Sequence, residues 1–136
     1  MSYPTEEIPP EDKLYRRIPN YYFKKGYIPT RAFHFDEDGC SVDWERYSDP
    51  EKTRNRVSDD GLDPSNFSVG SVINQNVLEL GLNVQHNPQP NDVEPNRDNQ
   101  THTLIISNDP EDILDIQNSL ANQCQYELGV NWTLKK

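Results

Sequence analysis

No stretch of this sequence approaches the roughly 18 consecutive apolar residues that a membrane-spanning helix requires, so no membrane partner is expected. The first twelve residues are rich in Pro and Glu and lack the apolar core of a secretory leader, which points to a cytoplasmic location. Only two cysteines occur, Cys40 and Cys124, and they have no metal-binding spacing. In a reducing compartment they are two free thiols. The three histidines, His34, His86 and His102, include no pair at the i, i+4 spacing of helical zinc sites. No metal and no cofactor is therefore expected. There is no glycine-rich phosphate loop, no Gly-x-Ser-x-Gly elbow and no internal repeat. Asp36-Glu-Asp-Gly superficially suggests a calcium loop, but its glycine is fourth where an EF-hand needs it sixth. Those carboxylates are expected in a solvated turn.

Apolar residues are also scarce, 32% of the chain, against a usual share of about 45–50% that counts glycine as well. Eleven prolines add frequent breaks. Two tryptophans, seven tyrosines and four phenylalanines nevertheless exceed what a disordered chain carries. A length of 136 residues fits one domain with a modest core and long loops. Residues 1–12 are expected to form a flexible lead-in and residues 13–136 a single α+β domain.

Local patterns supply the elements. Leu14–Ile18 reads as a strand stopped by Pro19-Asn20. Residues 31–44 predict a β-hairpin closed by Asp38-Gly39, a dipeptide suited to a two-residue turn. Counting out from that turn puts Phe33, Phe35, Val42 and Trp44 on one face, and His34 opposite Asp43 on the other. Asp49-Pro50-Glu51 has the form of a helix start. Val69, Val72, Ile73, Val77 and Leu80 recur at helical spacing before Gly81, which predicts a helix over 68–80, although Leu78 to Val84 also alternates like a strand. A strand at 82–85, an exposed loop over 87–99 and a strand at 101–107 follow. Asp109-Pro110 opens a second helix over 110–122, and residues 126–134 form a last strand or an ordered tail. The expected fold is α+β, a small mixed sheet with the 31–44 hairpin and two packing helices.

Net charge is −10, which disfavours sequence-blind nucleic-acid binding. The charge is uneven: Lys13 to Phe35 holds six bases and no acid, while the remainder holds seven bases against 23 acids. Tyr15, Arg16, Arg17, Lys24 and Lys25 therefore form a candidate binding segment. Cations beside aromatic rings suit phosphates and bases, an acidic protein partner, or the chain's own acidic surface, with the stems of Lys and Arg lying on core aromatics. His34 with Asp43 is a candidate acid–base pair, and equally an ordinary cross-strand ion pair. His102 is a third candidate.

Leu14-Tyr-Arg-Arg, Ala32-Phe33, Ser41-Val42, Gly81-Leu-x-Val with Pro88, and His102-Thr-Leu-Ile together resemble a set of small uncharacterised bacterial proteins. The resemblance spans about residues 14–107 and departs from the pattern at Gln100-Thr101. It implies a bacterial origin, carries no activity, and marks Tyr15, Arg16, Arg17, Ser41 and His102. The expected function is that of a non-enzymatic accessory protein that binds another protein, within a bacterial defence or toxin-control system. The alternatives are a nucleotide or nucleic-acid module using residues 13–35, and a small hydrolase or transferase using His34 with Asp43, or His102.

Overall fold

The computed structural model describes residues 4–88 and 100–133; the expected loop over 87–99 lies almost wholly outside them, as does Leu134 of the expected last strand. Among the described residues six strands build one sheet: β1 (Lys13–Pro19), β2 (Cys40–Trp44), β3 (Phe67–Ile73), β4 (Asn83–His86), β5 (His102–Ile106) and β6 (Gln125–Leu128), in spatial order β4-β5-β2-β1-β3-β6. Three α-helices accompany it: α1 (Pro50–Asn55), α2 (Asn74–Glu79) and α3 (Ile113–Gln123). The class is α+β. A mixed sheet was expected, but among the described residues every pairing between the six strands is antiparallel. Parallel neighbours need a long crossover that returns the chain beside its starting strand, and no described connection does this.

Alternation along the strands separates two faces. Leu14 lies opposite Trp44 and Val72, and Cys40 opposite Ile105. These side chains, with Ile18 and Val42, meet Leu120 and Ala121 of α3 and Phe33 in one buried cluster. Full burial of each large member stabilises the fold by roughly 1.5–3 kcal/mol. The other face carries Tyr15, Arg17, Val69, Ser41, Asp43 and His102. On that face α1 packs mainly over β1, β3 and β6, and its Thr53 reaches Asp43 of β2.

The caps follow the local sequence. Asp49 accepts from the Lys52 N–H at 2.8 Å with Pro50 opening α1, and Asp109 accepts from the Glu111 N–H at 3.1 Å ahead of α3. Gly81 is left-handed, φ +83°, just beyond α2.

Three expectations are corrected. The 31–44 hairpin is confined to one bridge, Asp36 with Gly39, around Glu37-Asp38, one residue away from the expected turn. Thr30–Phe33 is a 3-10 helix rather than a strand, so β2 pairs with β1 and β5 instead. Gly39 is needed elsewhere: its φ is +122°, and a Cβ there would stand 2.5 Å from the Ile105 carbonyl oxygen. Burying Ala32 and Phe33 against α3 outweighs the strand pattern.

The helix expected over 68–80 is β3 as far as Ile73, and only Asn74–Glu79 is helical. Ser68 to Val72 is buried throughout, as befits a strand flanked by β1 and β6 and covered on both faces. A strand buried on both sides loses its alternation, and valines three apart then imitate a helix.

The lead-in expected to be flexible is docked over residues 4–12. Ile8 is buried, the Asn74 and Gln75 N–H groups donate to the Asp12 and Pro10 carbonyls, and Trp44 Nε1 donates to Asp12 Oδ2 at 2.9 Å. The Glu6 N–H donates to His86 Nδ1 at 3.0 Å, which leaves the proton on Nε2 to bond the Gln100 carbonyl at 2.7 Å.

Candidate functional site

The half-covered sheet face forms a cleft of about 790 Å³. Its floor is made by Tyr15 and Arg17 of β1, Ser41 and Asp43 of β2, and His102 and Leu104 of β5. Register explains the grouping: Tyr15 lies opposite Asp43, Asp43 opposite His102, and Ser41 opposite Leu104. One wall is Thr53 with Arg56, where α1 runs into a 3-10 helix, and the rim carries Asp36, Asp38, Asp59 and Asp60. All five positions marked by the motif resemblance, Tyr15, Arg16, Arg17, Ser41 and His102, line this cavity.

His102 is held from behind. Its Nδ1 stands 3.0 Å from the Asn87 carbonyl oxygen, closer than the 3.5 Å approach of Asn87 Nδ2. A carbonyl only accepts, so Nδ1 carries the proton and Nε2 presents a lone pair. That lone pair faces the exposed Ser41 hydroxyl at 3.3 Å. Hydroxyl, imidazole and carbonyl form a relay in which the base is oriented by a third group.

Asp43 is only 6% exposed. Burial pushes its carboxyl pKa up, opposed by Arg56, a hydrogen bond from Thr53, Arg17 and His102. Its Oδ2 accepts no hydrogen bond among the described residues, and Arg56 Nε stands 3.9 Å away. Burial lowers the Arg17 pKa, with Asp43 opposing the shift. Burial, reinforced by Glu45, Glu127 and Asp49, pushes the Tyr15 phenol up to about 12.

A carboxyl whose pKa is higher folded than unfolded favours the folded state fully below the unfolded value, 3.8, and loses that contribution as pH rises through the folded value. The unfolding free energy of wild type minus that of Asp43→Asn is therefore expected to fall as pH is raised from below 4 toward neutrality, by about 1.4 kcal/mol per unit of upward shift. Urea titrations of both proteins across that range read the difference directly. A flat or rising difference contradicts the assignment.

The basic segment does not gather into one patch. Arg16 donates to the Ala32 and Ser41 carbonyls, both at 2.8 Å, and Arg17 to the Thr53 carbonyl at 3.0 Å. Arg31 lies 4.2 Å from the Tyr22 ring centre, and Lys13 pairs with Glu127 at 2.9 Å. Lys24 and Lys25 are exposed in the turn after the 3-10 helix Asn20–Phe23 and do not line the cleft. The expected His34–Asp43 pair does not form: exposed His34 meets Asp36 at 3.2 Å, because residues 31–36 never pair as a strand with β2.

Thr53, Arg56 and Asn87 were missed by sequence reasoning. Asp49-Pro50 marks the start of α1, but nothing in linear order says that this polar helix folds back beside Asp43. Asn87 acts through its carbonyl, which no side-chain pattern reveals. Among the described residues no group of three or more His, Cys, Asp or Glu is placed to hold a metal ion, and no helix is long and apolar enough to cross a membrane. Comparisons with protein-family models, curated proteins and solved structures find no match.

Proposed function

We propose that the protein is a small acyl hydrolase or acyltransferase acting at this cleft, with Ser41 as nucleophile and His102 as its base. The supporting observation is the 3.3 Å approach of Ser41 Oγ to a His102 Nε2 whose ring is fixed through Nδ1. In the reaction Ser41 Oγ attacks an acyl carbon while its proton passes to Nε2. The tetrahedral intermediate collapses as His102 returns that proton to the leaving group, and the carbonyl–leaving-group bond breaks. Water or another acceptor, deprotonated by His102, then attacks the acyl carbon, and His102 returns that proton to Ser41 Oγ as the acyl–Oγ bond breaks. Arg17 and Arg56 line the same cavity, Arg17 bonded to the Thr53 carbonyl and Arg56 facing Asp43.

The test is 4-nitrophenol release from 4-nitrophenyl acetate. Wild type is expected to show a burst stoichiometric with protein, and Ser41→Ala none. Equal rates for the two would refute the assignment.

A second reading, an accessory protein that binds another protein, draws support from the rim carboxylates of Asp36, Asp38, Asp59 and Asp60 on a chain of net charge −10. Its contact surface would then be this acidic mouth rather than the dispersed basic segment. A nucleotide or nucleic-acid module is less well supported, because Lys24 and Lys25 stand apart from Arg17.

A further inference from the structure

We infer that the gap where β1 and β2 separate beside Ser41 is an oxyanion hole, with the backbone N–H groups of Ser41 and Arg17 as its donors; this rests on the reading of Ser41 as nucleophile. Hydrogen-bond parity along β2 fixes where its peptide groups point. The Trp44 N–H donates to the Thr101 carbonyl at 3.0 Å, and the Glu45 N–H to the Lys13 carbonyl at 3.1 Å. Even residues of β2 therefore bond toward β5, while odd residues, Ser41 and Asp43, direct N–H and carbonyl toward β1. By the same parity Arg17 of β1 directs its N–H toward β2. The register of β1 with β2 ends at Tyr15–Asp43, so Arg17 with Ser41, the next pair due to exchange hydrogen bonds, is not formed. A guanidinium stands there instead. Arg16 Nη1 donates to the Ser41 carbonyl and its Nε to the Ala32 carbonyl, both at 2.8 Å. The Ser41 carbonyl is thereby taken, and the Ser41 and Arg17 N–H groups face the gap.

The gap opens into the cleft. By alternation Arg16 and Val42 belong to the core face, with Leu14, Ile18 and Trp44, yet both line the cavity on the opposite face. A cavity that touches residues of both faces reaches between the strands that carry them. Ser41 stands at its edge, with an exposed hydroxyl facing His102 and an N–H turned to the gap. As the Ser41 Oγ–carbon bond forms, the carbonyl π pair moves onto oxygen, which accepts from the two N–H groups. The pair returns when the leaving group departs. Fixed backbone donors aimed at developing charge contribute about 10²–10³-fold each to such a step.

The experiment is amide hydrogen exchange, read by NMR on the full chain, free and after fluorophosphonate labelling of Ser41. In the free protein the Ser41 and Arg17 amides are expected to exchange within about tenfold of an unstructured chain, as unpaired groups do. The Asp43 amide, paired with β1, is expected to be at least about a hundredfold slower. In the adduct a phosphoryl oxygen takes the place of the oxyanion. Both open amides are then expected to slow about fivefold or more, one hydrogen bond each, with Asp43 unchanged. Strong protection of either amide in the free protein overturns the inference, as does an adduct that leaves either rate unchanged. Both results leave the nucleophile assignment standing. If Ser41 takes no label, that assignment fails, and titration with inorganic phosphate decides the hole alone. Saturable shifts of the two amides uphold it, and their absence overturns it.

Discussion

Replacing His102 by Ala is expected to slow acylation of Ser41 by roughly 10²–10⁴-fold, the range a positioned general base contributes. The Ser41 hydroxyl faces Nε2 at 3.3 Å, and once the imidazole is gone water becomes the acceptor of its proton. Asn87 holds Nδ1 through a backbone carbonyl, so no side-chain substitution at Asn87 mimics the loss. His102→Gln separates geometry from basicity, since an amide fills part of the space without a lone pair basic enough to take the proton. Both variants are expected to fold, because His102 is only half-buried, and single-turnover ester kinetics measure the loss. A rate within a few-fold of wild type in either variant removes His102 from the mechanism.

Trp44→Ala is expected to cost about 3–5 kcal/mol, the usual penalty for deleting a large buried aromatic. Trp44 is fully buried and contacts Tyr47 and His86 edge-on, at ring separations of 5.5 and 5.0 Å. Its Nε1 also anchors the docked segment through Asp12. The truncation therefore leaves a cavity and releases the partner of a carboxylate. Because β2 carries Ser41 and Asp43 on its opposite face, the same variant is expected to lose activity along with stability. Urea unfolding followed by fluorescence of the remaining Trp132 reads the change, and a loss below about 1 kcal/mol would contradict the packing described.

Much of the architecture is legible in linear order, and the failures share a cause. β1, β4 and β5 are short strands bounded by turn residues, and Asp49, Gly81 and Asp109 stand where local chemistry places a cap. The hairpin and the 68–80 helix failed where tertiary contact overrides pattern: Phe33 is drawn onto α3, and β3 is buried on both faces. Gly70 makes the second case plain, since a Cβ there would overlap Cys124 Sγ and come within 3.0 Å of Trp132. That contact joins residues more than 50 positions apart and leaves no local trace.

The candidate site divides in the same way. Tyr15, Arg16, Arg17, Ser41 and His102 were singled out in linear order, and the sheet brings all five to one cavity. Lys24, Lys25 and His34 shared their neighbours' charge or chemistry but lie on segments that turn away from the cleft. Asp43 was chosen with the wrong partner: its cross-strand neighbours are Tyr15 and His102, because β2 pairs with β1 and β5. Charge counting along the chain suggested a cationic patch, whereas in three dimensions Arg16 and Arg17 bond backbone carbonyls and Asp36, Asp38, Asp59 and Asp60 face solvent.

The account turns on one hydroxyl made reactive by one imidazole. Exposure of the full chain to a fluorophosphonate, followed by tandem mass spectrometry of its peptides, reads that reactivity without knowledge of the substrate. The predicted result is a single stoichiometric adduct on Ser41 that disappears in His102→Ala. An unmodified Ser41, or an adduct formed equally well without His102, contradicts it.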